Sequence, residues 1–427
     1  MMSWILAQAK VYIDDAFHDG YVKMNGSMIE EVGKGLPHVG PDDEVWNVRG
    51  AFVLPGLVNT HNHTPMTLLR GLGEGEPLKR WLEDVMWPRE AMLSEEDVYW
   101  GTLLAQAEMI ESGTTTFLDM YDRLHVIFEA VRLSGMRAVL ARGMIGSEDP
   151  SVEAAKLKEA EDVSRRYHGA LSGRITMMIS PHGAYTCSSA FLKEIIELSR
   201  ALSLPVTTHL AETRQELLTV KKREAMETIP YLEALGLFER PLLVAHAVHL
   251  SERDRETLAR YDVRISHNPV SNLKLGSGIA PIPDLIRRGL TISLGTDGAA
   301  SNNNYDLFEE MRMAALLHKG KEEDATLIHP NEALRMATAA GARALFLEHV
   351  IGKLAKGYRA DLIIVRSDGL PYVPAHDDVA NLVYNGRGSD VLGTIVDGRL
   401  LYWKGEHLTL DTERIRYEAR LRAKRLA

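Results

Sequence analysis

Short apolar runs alternate with longer segments of helical periodicity through the middle of the chain. The helical segments cover residues 96–111, 152–167, 190–201 and 331–347. The apolar runs number eight, at residues 53–60, 114–119, 137–142, 175–180, 206–209, 242–246, 263–267 and 291–296. Strands that alternate with helices indicate βα units and a parallel sheet. The pattern predicts an α/β fold, and eight units favour a (β/α)8 TIM-type barrel.

The two ends of the chain have a different pattern. An Asn-Gly dipeptide at residues 25–26 and an Asp-Gly dipeptide at residues 397–398 each separate short apolar runs, and such dipeptides are strong signals of a β-hairpin. Residues 360–365 form a further β-branched run, and residues 411–426 begin with Asp-Thr and continue as a charged amphipathic helix. We expect both ends to be β-rich, and their packing together is a hypothesis.

Composition excludes several classes of protein. The 427 residues carry 49 Lys plus Arg against 59 Asp plus Glu, a net charge of -10 that argues against binding along nucleic-acid phosphates. The single cysteine, Cys187, excludes internal disulfides and cysteine-rich metal sites, so any metal must use His and carboxylate ligands. Residues 1–15 resemble neither a signal peptide nor a membrane span. We expect a soluble cytoplasmic protein without a membrane partner.

Polar and ionisable residues follow the predicted strands at one end only. They are His61 and His63 after the first run, then Asp119, Arg142, His182, His209 with Glu212, His246, His267 and Asp297 after the next seven. Catalytic residues of a (β/α)8 barrel lie at the C-terminal ends of its strands. The distribution therefore predicts an enzyme, and we expect Asp119 to bond inside the barrel or cap a helix and His267 to line the barrel mouth.

Three histidines and one aspartate have the positions of metal ligands. The alternation of side chains in an extended strand sends His61 and His63 to the same side, and His209 and Asp297 end two other strands. Each has an ordinary alternative: strand-end histidines can solvate a loop, and Asp-Gly after a strand is usually a turn. A divalent ion held by such a set lowers the pKa of water to roughly 7, which indicates metal-assisted hydrolysis.

Glu212 and His246 complete the candidate chemistry. Glu212 follows His209 by three residues, so we assign it as a general acid/base that faces the substrate. Its alternative role is to cap the helix that follows. His246 ends the sixth strand, whereas His249 lies three residues beyond that end.

Several motifs resemble the amidohydrolase superfamily. They are PGLVNTHNH at residues 55–63, THLAE at 208–212 and GTD at 295–297. More narrowly, LLRG at 68–71, SGTT at 112–115, SHNP at 266–269 and SNNN at 301–304 resemble the 5'-methylthioadenosine/S-adenosylhomocysteine deaminases. The resemblance spans the whole chain. It implies a barrel over residues 56–348 and a small β-sandwich with a C-terminal helix from residues 1–55 and 349–427.

The same resemblance implies one divalent ion per subunit, with zinc as the expected metal, held by His61, His63, His209 and Asp297. Glu212 would protonate the purine ring nitrogen, His246 would orient the attacking water, and Asp297 would act as ligand and base. Metal-activated hydroxide would attack the amino-bearing purine carbon, and ammonia would leave. Relatives are often dimers or tetramers, so a homo-oligomer is expected.

Substrate-binding residues are implied in the same way. Trp81 and Glu90 lie where the family contacts the nucleoside, with Glu90 on the ribose hydroxyls. His182 corresponds to a substrate-binding histidine, and Arg142 to a basic residue near the 5' substituent. Their alternatives are core packing for Trp81 and a strand-end salt bridge for Arg142.

One departure concerns the 5' substituent. Some relatives carry a second arginine after the third strand, apparently for an amino-acid carboxylate, whereas residues 146–153 here are acidic and contain none. Lys156 or Lys158 could substitute, and the sequence leaves open whether Arg142 alone or one of these lysines contacts the carboxylate. The preference between S-adenosylhomocysteine and methylthioadenosine is therefore unassigned, as is activity on adenosine or 5'-deoxyadenosine.

Two other functions compete with nucleoside deamination. The same site could act on an s-triazine, guanine or cytosine, although a ribose-binding Glu90 has no role there. An amidohydrolase-like scaffold without catalysis is the alternative from a different class. The presence of every expected ligand and of Glu212 argues against it.

Overall fold

The first five strands belong to a sheet outside the barrel. The computed structural model describes residues 3–426. The strands are β1 (Ser3–Ile13), β2 (Ala16–Asn25), β3 (Met28–Lys34), β4 (Asp43–Asn47) and β5 (Ala51–Pro55). Strand β1 pairs antiparallel with β2 and parallel with β4 and β5. Strands β2 and β3 form the antiparallel hairpin that the Asn25-Gly26 dipeptide predicts.

Eight parallel strands form the barrel, each hydrogen-bonded to the next in chain order. They are β6 (Leu57–Asn62), β7 (Thr114–Tyr121), β8 (Arg137–Met144), β9 (Ile175–Pro181), β10 (Val206–Leu210), β11 (Leu242–His246), β12 (Arg264–His267) and β13 (Ile292–Leu294). At the remaining gap the backbone N–H of Asp297 donates to the carbonyl of His61 (2.9 Å), and the Thr60 hydroxyl donates to the carbonyl of Leu294 (2.9 Å). The predicted (β/α)8 fold is confirmed.

Helices connect the strands and cover the barrel. They are α1 (Leu78–Arg80), α2 (Trp87–Glu90), α3 (Glu95–Glu111), α4 (Leu124–Ser134), α5 (Pro150–Tyr167), α6 (Ala170–Gly173), α7 (Ser189–Leu202), α8 (Arg214–Glu224), α9 (Thr228–Ala234), α10 (Glu252–Arg260), α11 (Pro269–Lys274), α12 (Ile282–Arg287), α13 (Leu307–Glu322), α14 (Pro330–Met336), α15 (Ala339–Ala344), α16 (Asp378–Asn385) and α17 (Thr412–Leu426). A π-helical segment, Trp81–Met86, joins α1 to α2, and short 3-10 helices span Thr64–Leu69, Leu237–Glu239, Leu370–Tyr372 and Gly388–Asp390. Within residues 3–426, every helix is too short or too polar to cross a membrane.

The last four strands return to the N-terminal sheet. They are β14 (Leu362–Arg366), β15 (Val391–Val396), β16 (Arg399–Trp403) and β17 (Glu406–His407). Strand β14 pairs antiparallel with β5, which joins both chain ends in one nine-stranded sheet. The Asp397-Gly398 hairpin connects β15 to β16. Asp411 caps the predicted C-terminal helix, because its Oδ1 accepts the N–H of Arg414 (3.0 Å).

The prediction of a single strand over residues 53–60 is wrong. Strand β5 ends at Pro55, and β6 begins at Leu57 in the other sheet. The chain crosses between the sheets at Gly56, where an added Cβ would lie 2.1 Å from the Thr115 hydroxyl oxygen. The apolar pattern is continuous because every residue on both sides of the crossing is buried.

The prediction of one helix over residues 331–347 is also wrong. The segment forms α14 and α15, with a break at Thr338 (φ -129°, ψ -96°). The N–H of Val58 on β6 donates to the carbonyl of Ala337 (2.8 Å). At Gly341 an added Cβ would lie 2.8 Å from the Val58 side chain, so the second helix packs directly on the strand. Close packing on the barrel therefore overrides the helical periodicity.

A buried ion pair connects the barrel to the end sheet. Arg137 begins β8 and Asp361 precedes β14, and each side chain is 1% exposed. The guanidinium binds the carboxylate with two hydrogen bonds, Nε to Oδ2 (2.6 Å) and Nη2 to Oδ1 (3.1 Å). Asp397 accepts a further bond from Nη2 (3.1 Å). Burial alone would lower the pKa of Arg137, but the two carboxylates raise it.

We expect Arg137→Met to lower the free energy of unfolding by about 3–5 kcal/mol, because it leaves the buried Asp361 carboxylate without its counter-charge. The Arg137→Met/Asp361→Asn double variant should recover part of that loss. Arg132→Met is the matched control, since Arg132 pairs with Glu129 on the surface, where such pairs contribute about 0–1 kcal/mol. Denaturant unfolding followed by circular dichroism measures the differences. Equal midpoints for Arg137→Met and Arg132→Met would contradict the assignment.

Candidate metal centre and the cavity that contains it

The four predicted ligands meet at the C-terminal mouth of the barrel. Asp297 Oδ1 lies 3.5 Å from His61 Nε2 and 3.3 Å from His63 Nε2, and the Nε2 atoms of His209 and His63 are 3.4 Å apart. Donor atoms of His61, His63 and Asp297 all lie within 4.8 Å of one another, and so do those of His61, His209 and His246. Strands from opposite sides of the barrel thus aim nitrogen and oxygen donors at one point.

His61 indicates most directly that these residues suit a metal. It is fully buried, and neither of its ring nitrogens has a hydrogen-bond partner. An unpaired buried polar atom costs about 1–3 kcal/mol, a cost that a bound cation would remove. Burial lowers the pKa of His61 to about 4, and burial followed by the nearby His182 lowers the pKa of His209 well below its usual value. Both rings are therefore neutral, as metal ligands must be.

Backbone carbonyls orient two of the histidines. His63 Nδ1 lies 2.7 Å from the carbonyl oxygen of Met120, and His209 Nδ1 lies 2.7 Å from that of His182. A carbonyl only accepts, so each Nδ1 carries a proton, and Nε2 is the ring nitrogen that faces the centre and would bind a metal ion. Support of this kind fixes the tautomer of a metal-binding histidine.

Hydrogen bonds also fix the Asp297 carboxylate. Its Oδ2 accepts the hydroxyls of Ser271 (2.7 Å) and Ser301 (2.9 Å), and Oδ1 accepts the N–H of Gly298 (2.8 Å). Burial alone would raise the pKa of Asp297, but His61 and His63 hold it well below its usual value. The carboxylate is therefore ionised, with Oδ1 turned toward the histidines.

Glu212 and His246 lie beside this cluster. Glu212 Oε2 is 3.8 Å from His246 Nε2, and Oε1 accepts the hydroxyl of Ser277 (3.2 Å). His246 Nδ1 is 2.8 Å from Asn272 Oδ1, so Nδ1 is the donor and Nε2 is free to accept a proton. Burial raises the pKa of Glu212. A carboxyl group with a raised pKa beside an imidazole whose Nε2 can accept a hydrogen bond is suited to transfer protons near neutral pH.

A cavity of about 390 Å³ opens above the cluster, within the usual range for small-molecule sites. The four residues that the resemblance assigns to the substrate all line this cavity: Trp81, Glu90, Arg142 and His182. The cluster residues other than His61 line it too: His63, His209, Glu212, His246 and Asp297. The metal-ligand candidates and the substrate-binding candidates therefore share one cavity.

Glu90 and His182 both line the cavity, and each contacts a neighbouring hydroxyl group at hydrogen-bond distance. Glu90 Oε1 accepts the hydroxyl of Tyr121 (2.7 Å), and burial raises the pKa of Glu90. His182 Nδ1 lies 3.0 Å from the Thr186 hydroxyl, and burial lowers the pKa of His182 to about 3. Trp81 is 5% exposed, so it both lines the cavity and packs in the core, as its two interpretations required.

The basic residues of the cavity differ in their partners. Arg142 Nε donates to the Glu159 carboxylate (2.9 Å), the salt bridge of its alternative interpretation. Lys156 also lines the cavity, and its Nζ donates to the carbonyl oxygen of Ile145 (2.6 Å). Lys158 lies exposed on the same helix and is not part of the cavity wall.

Three other residues near the C-terminal ends of the strands lie outside this chemistry. Asp119 bonds inside the barrel, where its Oδ1 accepts the N–H of Thr64 (3.0 Å). His249 Nε2 donates to the carbonyl of Ser277 (2.8 Å). His267 is fully buried, its Nε2 is 3.3 Å from that of His318 on α13, and it does not line the cavity. The prediction that His267 lines the mouth is wrong, because its ring turns toward the helix layer.

Sequence reasoning missed the residues that support the site. Tyr121, Asn272 and Ser277 hold Glu90, His246 and Glu212 respectively. Tyr121 ends β7 and could have been found by extending the predicted strand by two residues. Asn272 lies on the short helix α11 and Ser277 in the loop that follows it, where no periodic pattern marks a side chain as functional.

The comparison with known families agrees with this fold and site. The profile of the amidohydrolase family matches residues 52–401, which include the whole barrel and much of the end sheet. The chain belongs to the amidohydrolase family, and more narrowly to its 5-methylthioadenosine/S-adenosylhomocysteine deaminase group.

Individual relatives support membership of the amidohydrolase family and of the deaminase group. A protein of Pelotomaculum thermopropionicum named 5-methylthioadenosine/S-adenosylhomocysteine deaminase is 44% identical over 97% of this chain and 95% of its own length. The crystal structure of an adenosine deaminase from Xanthomonas campestris with bound zinc is 31% identical, with a TM-score of 0.92 over 100% of this chain and 98% of that one. A triazine hydrolase structure is 23% identical with a TM-score of 0.91 over 99% of this chain and 100% of that one, and it shares the fold. The predicted family is confirmed.

We expect His209→Ala to weaken metal binding by at least about 100-fold, because loss of even an outer partner of a ligand costs about 10–100-fold. Metal content measured by inductively coupled plasma mass spectrometry after dialysis should fall together with activity. His125→Ala is the control, because His125 is exposed and pairs only with Glu95. A His209→Ala protein that keeps as much metal as the His125→Ala protein would show that His209 is not a ligand.

Proposed function

We propose that this protein hydrolytically deaminates adenine nucleosides with a modified 5' end, converting 5'-methylthioadenosine or S-adenosylhomocysteine to the inosine analogue and ammonia. The observation that carries the proposal is the shared cavity, in which the proton-transfer pair Glu212 and His246 and the half-buried carboxylate Glu90 lie around the His/Asp cluster. The names of the full-length relatives support the same substrates.

The cofactor in this proposal is one zinc ion per chain, held by His61, His63, His209 and Asp297. The nitrogen and carboxylate donors suit zinc, and the 31% identical neighbour contains bound zinc. Zinc in such a site acidifies water to a pKa of about 7, so that a nucleophile is present at neutral pH.

The residues of this chain then divide the proton transfers. His246 accepts a hydrogen bond from the attacking water at Nε2, the nitrogen left free by the bond to Asn272. Glu212 gives a proton to the ring nitrogen next to the amino-bearing carbon, because burial favours its protonated form. Asp297 is the base that takes a proton from water. After water has added to the carbon, the proton taken up by Asp297 passes to the amino group, the carbon–nitrogen bond breaks and ammonia leaves. The hydroxyl proton of the adduct returns to Glu212 as the carbonyl of the inosine analogue forms.

The remaining wall of the cavity binds the nucleoside. Glu90 accepts the ribose hydroxyls, and Tyr121 holds its carboxylate in place. His182, neutral at physiological pH, offers Nε2 to the purine ring. Trp81 provides an apolar surface for the base, and Arg142 lies toward the 5' substituent.

A triazine, guanine or cytosine substrate fits this chain less well. The triazine hydrolase and guanine deaminase structures are each 23% identical, which establishes a shared fold only. Glu90 is a half-buried carboxylate whose pKa is raised by desolvation, and a diol would satisfy its second oxygen. An inactive scaffold is not favoured, since the cluster and Glu212 are all in place. We further propose a cytoplasmic homo-oligomer that binds no nucleic acid, consistent with one free buried cysteine and a net charge of -10.

The direct test measures ammonia release by the zinc-reconstituted protein. Methylthioadenosine, S-adenosylhomocysteine, adenosine, 5'-deoxyadenosine, guanine and an s-triazine are compared side by side. Release from the 5'-thio nucleosides is expected. Release from guanine or the triazine alone would refute the substrate assignment and leave the metal site intact.

We expect Glu212→Gln to keep its metal and lose about 10²- to 10⁴-fold in turnover, the usual contribution of a general acid or base. The amide matches the carboxyl group in size but cannot transfer the proton. Ammonia release and metal content are measured on the same sample. Undiminished turnover in this variant would refute the role of Glu212.

Lys156 is the residue that we expect to determine the response to an amino-acid carboxylate at the 5' end. Arg142 is already neutralised by Glu159, whereas the bond from Lys156 to Ile145 leaves two N–H groups free in the cavity. Lys156→Ala should lower kcat/KM for S-adenosylhomocysteine by about 10-fold, since a hydrogen bond to a charged group contributes about 1.5–3 kcal/mol. The value for methylthioadenosine should not change. Lys158→Ala is the matched control, and equal ratios of the two substrates in both variants would exclude Lys156.

A further inference from the structure

The turn that carries Glu212 has an unfavourable backbone conformation. Ala211, between β10 and Glu212, has a φ of +52°, and the left-handed region costs a residue with a side chain about 1–2 kcal/mol. Residues in such conformations persist only where the surroundings hold them. Glu212 would therefore point elsewhere if the contacts that hold this turn were lost.

The Glu216 side chain provides those contacts. Its Oε1 accepts the backbone N–H of Ala211 (3.0 Å), and its Oε2 accepts that of Glu212 (2.9 Å). Glu216 lies in the first turn of α8, where its own N–H donates to the Thr213 hydroxyl that caps the helix (3.2 Å). One carboxylate thus binds both consecutive N–H groups of the turn.

Glu216 is buried, and it has no contact with the reacting groups. It is 4% exposed and does not line the cavity. Burial followed by the neighbouring Glu212 raises the pKa of Glu216 to about 7, and the hydrogen bonds from the two N–H groups are the main opposing effects. Burial of a carboxylate costs free energy that an apolar side chain of the same size would not cost. The presence of Glu216 at this position therefore indicates a role for its carboxylate.

A backbone carbonyl of the same turn is hydrogen-bonded to the segment that follows β11. The carbonyl oxygen of Ala211 accepts the N–H groups of Val248 (3.1 Å) and His249 (2.9 Å). That segment begins just after His246. The peptide at Ala211 therefore connects the backbone of Glu212 to the backbone that follows His246.

We infer that Glu216 is a positioning residue for proton transfer, which binds both N–H groups of the 211–212 turn and thereby sets the position of the Glu212 carboxyl relative to His246. The inference rests on the proposed function, since it assumes that Glu212 transfers the proton. A carboxylate is required because it offers two acceptors. Glutamine offers one, and its NH₂ group would face an N–H.

Glu216→Gln is the test variant, because it keeps the size of the side chain and removes one of the two acceptors. Loss of an outer partner in an active site typically costs about 10–100-fold in activity. We expect kcat for the best nucleoside substrate to fall by about that factor, with KM and metal content unchanged. Asp254→Asn is the matched control: Asp254 also accepts two bonds in the first turn of a helix, from the N–H (2.8 Å) and hydroxyl (2.7 Å) of Ser251, and its loss should leave kcat unchanged.

A double-mutant comparison distinguishes positioning from general structural support. If Glu216 acts through Glu212, Glu216→Gln should lower turnover in the wild-type background and have almost no effect in the Glu212→Gln background. The same fold loss in both backgrounds, or no loss in wild type, would overturn the inference. Should Glu216→Gln fold poorly, the comparison is made with Ala211→Gly present, since glycine adopts this φ without steric cost.

Hydrogen exchange tests the role of Glu216 independently of the proposed function. The amides of Ala211 and Glu212 should exchange faster in Glu216→Gln than in wild type, whichever substrate the protein uses. Unchanged exchange would overturn the inference even if deamination is confirmed. Absence of ammonia release by wild-type protein would refute the proposed function, and faster exchange would then still support Glu216 as the group that holds the turn.

Discussion

The hydrogen bonds between β6 and the segment after β13 determine the geometry of the whole site. Asn59 donates from Nδ2 to the Thr296 hydroxyl (2.7 Å) and accepts the N–H of Thr296 at Oδ1 (3.1 Å), and the N–H of Asp297 donates to His61. The approach is so close that a Cβ at Gly295 would lie 2.9 Å from the backbone nitrogen of His61. Two segments more than 230 residues apart in sequence are joined here by side chains as well as backbone, and this contact brings the His61–His63 pair to Asp297.

The site combines a base of hydrogen-bonded candidate ligands with a wall that other elements provide. At the base, backbone carbonyls and serine hydroxyls hold the candidate ligands in orientations that bring their donor atoms together. Burial lowers the pKa of His61 and His209. Burial alone would also lower the pKa of His63, but Asp297 raises it to about 9, and the two nearby histidines in turn hold the pKa of Asp297 well below its usual value. The wall comes from the π-helical segment near Trp81, the end of β7 and helix α5. Metal binding and substrate choice thus depend on different parts of the fold, which is how one barrel supports many reactions.

The base of the site was predictable from sequence, and the wall was only partly so. His61, His209, His246 and Asp297 each end an apolar run, and parallel strands of a barrel bring such ends together whatever the connections do. Trp81, Glu90, Arg142 and His182 were found through resemblance and do line the cavity. The choice between Lys156 and Lys158 depends on which side of α5 faces inward, and both lie in a polar helix whose pattern does not decide it. The crossing at Gly56 was missed because burial is continuous on both sides of it.

The end sheet imposes an order on synthesis of the protein. Strand β5 immediately precedes the barrel, yet its antiparallel partner β14 lies about 300 residues later in the chain. While the barrel emerges from the ribosome, one edge of the N-terminal strands is open, and open edges are templates for aggregation. Arg137 likewise lacks its counter-charge until Asp361 has been synthesised, 224 residues later. The segment from Asp361 through β14 therefore acts on the nascent protein as a closing segment, because it covers both the open edge of β5 and the buried charge of Arg137.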